Sequence, residues 1–85
     1  MSRHDLDPFE ARHEVVVGWD SPLSTFFAQV LDTEAEDDLD YEVLWIGTSF
    51  DEVSDPAGVI AAVQPFAAVP DGLLATLQQD RIEDG

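Results

Sequence analysis

Cysteine, lysine and asparagine are absent from this 85-residue chain, and arginine occurs only three times. Without cysteine the protein has no disulfide, no thiolate nucleophile and no cysteine-ligated zinc site, so its stability must come from packing. No apolar run approaches the roughly 18 residues that a membrane span needs. Residues 1–12 also lack the basic start and apolar stretch of a signal peptide. We therefore expect a soluble, cytoplasmic protein.

Acids far outnumber bases, since 19 aspartate and glutamate residues face three arginines and the formal net charge is −16. Such a charge repels nucleic acids and anionic membranes, and it attracts basic protein surfaces. Direct binding of DNA, RNA or lipid is therefore disfavoured as a function. The apolar fraction of 45% is nevertheless high enough for a small folded core.

Three β-rich segments predict an antiparallel meander. Residues 13–19 contain three successive valines and a tryptophan, residues 25–31 alternate across two faces, and residues 43–48 suit a strand that is buried on both faces. Asp20 and Pro22 are typical of the turn that would join the first two strands. A helix over residues 22–31 is the competing interpretation, because Ser21 could cap it. We expect Trp19 and Trp45 to lie in the core.

Two helices are predicted after the strands. Ser54 and Pro56 indicate the start of the first, which Pro65 ends, and Pro70 opens a second that runs to about residue 82. The fold class is α+β, a three-stranded antiparallel meander followed by two short helices packed on one sheet face (β-β-β-α-α). The expected organisation is a flexible acidic tail (1–12), a single small α+β domain (13–82) and a frayed C-terminus (83–85).

The densest charge lies between the second and third predicted strands, where every even-numbered position from 32 to 42 is a carboxylate. In an extended strand these acids would share one face at a spacing of about 6.6 Å, close to two phosphate steps of one DNA strand. A solvated loop or a halophilic surface is the plainer interpretation. Phe27 is a further anchor candidate. The predicted partner-binding residues are Asp32, Glu34, Glu36, Asp37, Asp38, Asp40, Tyr41 and Glu42.

No catalytic residue, cofactor or metal ligand is predicted, and the protein is expected not to be an enzyme. His4 and His13 belong to no recognisable nucleophile motif. The acids of residues 37–42 lack the glycine and the spacing of a calcium loop, so a calcium-responsive module is only a third hypothesis. A domain of this size also offers little room for a substrate pocket of about 300 Å³ or more.

In size and charge the chain resembles DNA-mimic proteins, including phage-encoded antagonists of restriction or CRISPR systems. The resemblance is compositional and involves no motif. It implies a small acidic protein that binds a basic, nucleic-acid-handling protein and inhibits or regulates it by imitating phosphate charge. The alternative is a structural or adaptor domain whose acidity serves solubility and whose apolar interface could support a homodimer.

Overall fold

The computed structural model describes residues 2–36, 41–50 and 52–84. These residues form a five-stranded antiparallel sheet, in the spatial order β4-β3-β2-β1-β5, and two helices. Among them, no helix is both long enough and apolar enough to cross a membrane. The elements in chain order are β1 (His4–Pro8), β2 (His13–Asp20), β3 (Thr25–Asp32), β4 (Glu42–Ile46), α1 (Pro56–Val63), β5 (Ala67–Ala68) and α2 (Leu73–Asp84).

The α+β class is confirmed, but the predicted three-stranded meander is wrong. β2, β3 and β4 occupy the predicted segments as consecutive neighbours, and the sheet continues beyond β2 with β1 and β5. β1 lies within the segment predicted to be a tail. It alternates between Asp5 and Asp7, which are exposed, and Leu6, which is 8% exposed and pairs with Val15. Leu6 faces the core, and backbone pairing with β2 and β5 holds this polar segment in the sheet.

The core lies between the sheet and the two helices. β2 and β3 pair in register from His13–Asp32 to Asp20–Thr25, so Val15, Val17 and Trp19 share a face with Phe26, Ala28 and Val30. Val59, Val63, Leu73 and Leu77 pack on that face from α1 and α2. Trp19 is 3% exposed, as predicted, and its ring meets Phe26 edge-on at 4.8 Å. β3 also rules out the competing helix over residues 22–31.

The start of α1 follows the sequence signals. The Asp55 side chain accepts a hydrogen bond from the Ala57 amide at 2.9 Å, and Pro56 occupies the first turn. In α2 the guanidinium of Arg81 lies 5.6 Å from the centre of the Trp19 ring and donates to the Ser54 carbonyl at 3.1 Å. These contacts hold both helices on one face of the sheet. Neither helix covers the opposite face.

Candidate protein-binding surface

Asp32, the first predicted binding residue, is engaged within the protein. It ends β3, and its carboxylate accepts from Arg12 Nε at 2.9 Å and from Arg12 Nη2 at 2.7 Å. These hydrogen bonds hold the pKa of the Asp32 carboxyl below its ordinary value and raise the pKa of Arg12. Asp32 also accepts from the Glu34 amide at 3.0 Å, so it shapes the start of the connection to β4.

The chain turns directly after β3, so the described acids do not lie along one extended strand. The Ala35 amide donates to the Asp32 carbonyl at 3.2 Å and closes a turn at Thr33 and Glu34. The Thr33 amide and hydroxyl both donate to the Arg12 carbonyl at 2.7 Å and hold the start of this turn against the start of β2. Glu34 and Glu36 are exposed. Asp37, Asp38 and Asp40 lie outside the described residues.

The predicted binding segment rejoins the sheet at its far end. Tyr41 is 43% exposed and directly precedes β4. Glu42 is the first residue of β4, is exposed, and pairs with Leu31 of β3. The structure thus places Asp32 and Glu42 at the two ends of the connection and brings Glu42 onto the sheet.

The sheet face opposite the helices, which we call the open face, combines apolar and acidic side chains. One row of paired residues crosses four strands, from Asp5 through Val16 and Gln29 to Trp45. Because side chains alternate along each strand, Phe27 and Asp20 lie on the same face. Glu42 pairs with Leu31 of this face across a register shift between Val30 and Leu31. The acidic connection, residues 33–41, therefore joins the sheet next to Leu31.

Trp45 is 49% exposed, so the expectation that it lies in the core is wrong. The same holds for the expectation that residues 43–48 are buried on both faces. β4 is an edge strand, and its open-face side is covered by neither helix. Phe27, four residues before Leu31 in β3, is half-buried and lies over Gly18 of β2. These two aromatic rings form the apolar centre of the open face.

A small cavity of about 260 Å³ lies on the open face beside Trp45. β3 and β4 form its floor, and the turn after β2 and the loop after β4 form its walls. Asp20 supplies its carboxylate, and Asp20 Oδ1 accepts from the Leu23 amide at 3.3 Å. The lining residues are Asp20, Leu23, Phe27, Gln29, Trp45, Gly47 and Thr48.

Glu52 organises one wall of this cavity, a role that the sequence reasoning missed. Its carboxylate accepts from the backbone amides of Gly47 at 2.9 Å, Ser49 at 3.1 Å and Thr48 at 3.2 Å. These hydrogen bonds, that of Gly47 foremost, lower the pKa of Glu52. The spacing of Ser49 and Glu52 matches a capping box and is the sequence signal that could have revealed this loop.

A larger groove of about 720 Å³ lies between the start of α1 and the end of α2, so the expectation of too little room for a pocket is wrong. Its two charged side chains have structural roles: Asp55 caps α1, and Arg81 donates to the Ser54 carbonyl. The lining residues are Phe26, Ser54, Asp55, Pro56, Gln78, Arg81 and Ile82. We see no nucleophile paired with a base in this lining.

Both histidines are held by nearby acids or aromatic rings. His4 Nε2 lies 2.6 Å from Asp80 Oδ2 and so ties β1 to α2. His13 is half-buried, its Nδ1 lies 3.5 Å from Glu10 Oε2, and its ring meets Phe66 edge-on. Within the described ranges, no group of three or more histidine, aspartate or glutamate side chains could hold a metal ion.

Comparison of the chain with protein-family models, with curated proteins and with solved structures gives no match.

Proposed function

We propose that this protein is a non-enzymatic binding protein that inhibits or regulates a basic, nucleic-acid-handling protein by presenting carboxylates in place of phosphates. The observation that carries the proposal is the placement of charge at one end of the sheet. Glu34, Glu36 and Glu42 are exposed there. The base at this end, Arg12, is already bonded to Asp32.

The net charge of −16 makes this end attractive to a basic surface over several ångströms. Arginine and lysine side chains that bind phosphate also bind carboxylates, and arginine does so through two parallel hydrogen bonds. Because the chain turns at Thr33 and Glu34, the acids would act as a dense cluster of charge and not as a straight ruler. The acids would then bind the partner's nucleic-acid site through their charge, without copying the helical geometry of DNA.

A DNA-release assay tests this function. Restriction nucleases, RNA-guided nucleases and other DNA-binding proteins are each bound to a short fluorescein-labelled duplex, and fluorescence anisotropy reports release as this protein is added. We expect at least one of them to release its DNA, with an affinity that falls at least tenfold between about 50 and about 200 mM salt.

Two variants with the same change of net charge distinguish the effect of the acidic segment from the effect of the total negative charge. The first replaces acids of the segment by amides, and the second replaces acids elsewhere. Only the first should lose DNA release; equal loss in both, or release by no protein of the panel, would contradict the proposal. The first set is Glu34, Glu36, Asp38 and Glu42, and the control set is Asp51, Asp71, Glu83 and Asp84.

The adaptor function is a second candidate because Trp45 is half-exposed on the open face. Aromatic side chains of this kind are common anchors of protein interfaces. An adaptor that pairs with itself through this face predicts a dimer in light scattering whose stability does not fall with salt. Trp45→Ser should then shift the protein to a monomer.

A further inference from the structure

We infer that the cavity on the open face receives one cationic side chain of the partner, arginine in preference to lysine, stacked on Trp45 and paired with Asp20. The inference rests on the proposed function for the nature of the partner, a basic protein. The site itself rests on the geometry of the cavity.

The size of the cavity fits a side chain better than a metabolite. Its volume of about 260 Å³ lies below the range of about 300–1,000 Å³ that is typical of small-molecule sites. Its lining is mostly apolar, with Phe27, Leu23 and the Trp45 ring. A long side chain with an apolar stem and a charged end matches this combination.

The charge of the cavity selects a cation. Asp20 lies on the same face as Trp45, and its carboxylate uses one of about four acceptor sites to bond the Leu23 amide. A planar guanidinium can stack on an indole ring and donate to a carboxylate at the same time, whereas an ammonium makes the charge contact without stacking. Arginine should therefore bind more tightly than lysine.

The cation must come from another protein. The chain has no lysine, and each of its arginines already has a partner. Arg3 pairs with Glu14 at 3.3 Å, Arg12 with Asp32 at 2.7 Å, and Arg81 lies over Trp19. A second copy could fill the cavity only by breaking one of these contacts and by bringing two charges of −16 together.

Titration with single amino-acid derivatives tests the cavity without the unidentified partner. The probes are N-acetyl-arginine amide, N-acetyl-lysine amide and N-acetyl-citrulline amide, which has nearly the shape of arginine without its charge. Chemical shifts of the backbone amides and of the Trp45 indole N–H are followed by NMR. We expect saturable shifts at Trp45, Gly47 and Thr48 with arginine, weaker binding of lysine and no saturable binding of citrulline.

Three variants assign the binding to the named groups. Asp20→Asn should weaken arginine binding about tenfold, and Trp45→Leu should weaken it about threefold. Trp45→Phe keeps a ring and should lose less. The control Asp71→Asn makes the same change of charge in the loop before α2 and should bind as the parent does, and the amide spectrum of each variant reports its fold.

The outcomes separate this inference from the proposed function. Shifts scattered over many carboxylates, equal binding of citrulline, or equal losses in Asp20→Asn and Asp71→Asn would overturn the cavity assignment. DNA release in the anisotropy assay would still support the proposed function in that case. Conversely, arginine binding at Trp45 without any DNA release would leave the cavity assignment standing and contradict the proposed function.

Discussion

Gly18 is a position where the structure predicts a sharp response to a single methyl group. A Cβ placed there would lie 2.2 Å from the Ser2 carbonyl oxygen and 2.8 and 2.9 Å from two ring carbons of Phe27. Ser2 is held at this place by two hydrogen bonds, from its amide to the Trp19 carbonyl at 2.9 Å and from the Trp19 amide to its hydroxyl at 3.1 Å. Gly18→Ala must therefore displace the N-terminal segment.

The magnitude follows from the displacement. Since non-bonded atoms settle at about 3.5 Å or more, Ser2 must move by about 1 Å, and its two hydrogen bonds to Trp19 are lost or distorted. Overpacking of this kind costs about 1–3 kcal/mol, and each lost hydrogen bond about 1 kcal/mol. We expect Gly18→Ala to lower the free energy of unfolding by about 3 kcal/mol in total, the lower end of this sum, or the melting temperature by about 12–24 °C for a domain of this size.

A double-mutant cycle in urea, followed by the fluorescence of the buried Trp19, measures this cost and its origin. The second background is a chain that begins at His4, made by cleaving an N-terminal fusion. Without Ser2, the alanine meets only the Phe27 ring, which can rotate, so the cost should fall to about 1 kcal/mol or less. Equal costs in the two backgrounds, within about 0.5 kcal/mol, would show that Gly18 is not required by the N-terminal segment.

Three further changes test other contacts. Thr25→Val removes the buried hydroxyl that accepts from the Val53 amide at 2.7 Å, and should cost about 1–3 kcal/mol in urea unfolding, whereas Thr25→Ser should cost less. Glu52→Gln should lower the local stability of the loop after β4. The backbone amides that donate to Glu52, such as that of Gly47, should then exchange their hydrogens faster. The hydrogen bonds from Arg12 lower the pKa of Asp32 in the folded protein. The contribution of Asp32 to the free energy of unfolding is therefore complete above its unfolded pKa of about 4 and is lost as the pH falls through the folded pKa. Arg12→Met should remove this acid-sensitive part of the free energy of unfolding, measured by urea titrations below about pH 5.

The central hairpin could be predicted because its signal is local. Three successive valines and the alternation around Phe26 specify β2 and β3, and Asp20 and Pro22 specify the turn between them. The helix starts could be predicted for the same reason, since Pro56 follows capping residues. The strand β1 could not be predicted, because its place depends on the pairing of Leu6 with Val15 across the sheet. Its charged residues otherwise give the segment the composition of a flexible tail.

The exposure of Trp45 and the role of Asp32 could not be read from the sequence. A short apolar run suits a central strand as well as an edge strand, and the choice depends on how many strands lie beyond it. Asp32 looked like the first member of a binding row, but Arg12, twenty residues earlier in the chain, takes up its carboxylate. Both errors come from contacts between distant segments, which spacing does not reveal.

The two parts of the proposed surface should contribute to binding in different ways. Exposed acids such as Glu34 and Glu36 act over a distance, so they raise the association rate and make it sensitive to salt. Trp45 and Phe27 act only on contact, so they determine how slowly a partner leaves. Glu42, where the acidic connection ends, pairs with Leu31 of the open face. We therefore expect a partner attracted by the connection to meet the open face at Leu31 and to be retained at the cavity, where an apolar anchor and a single carboxylate can hold it after the long-range attraction has been screened.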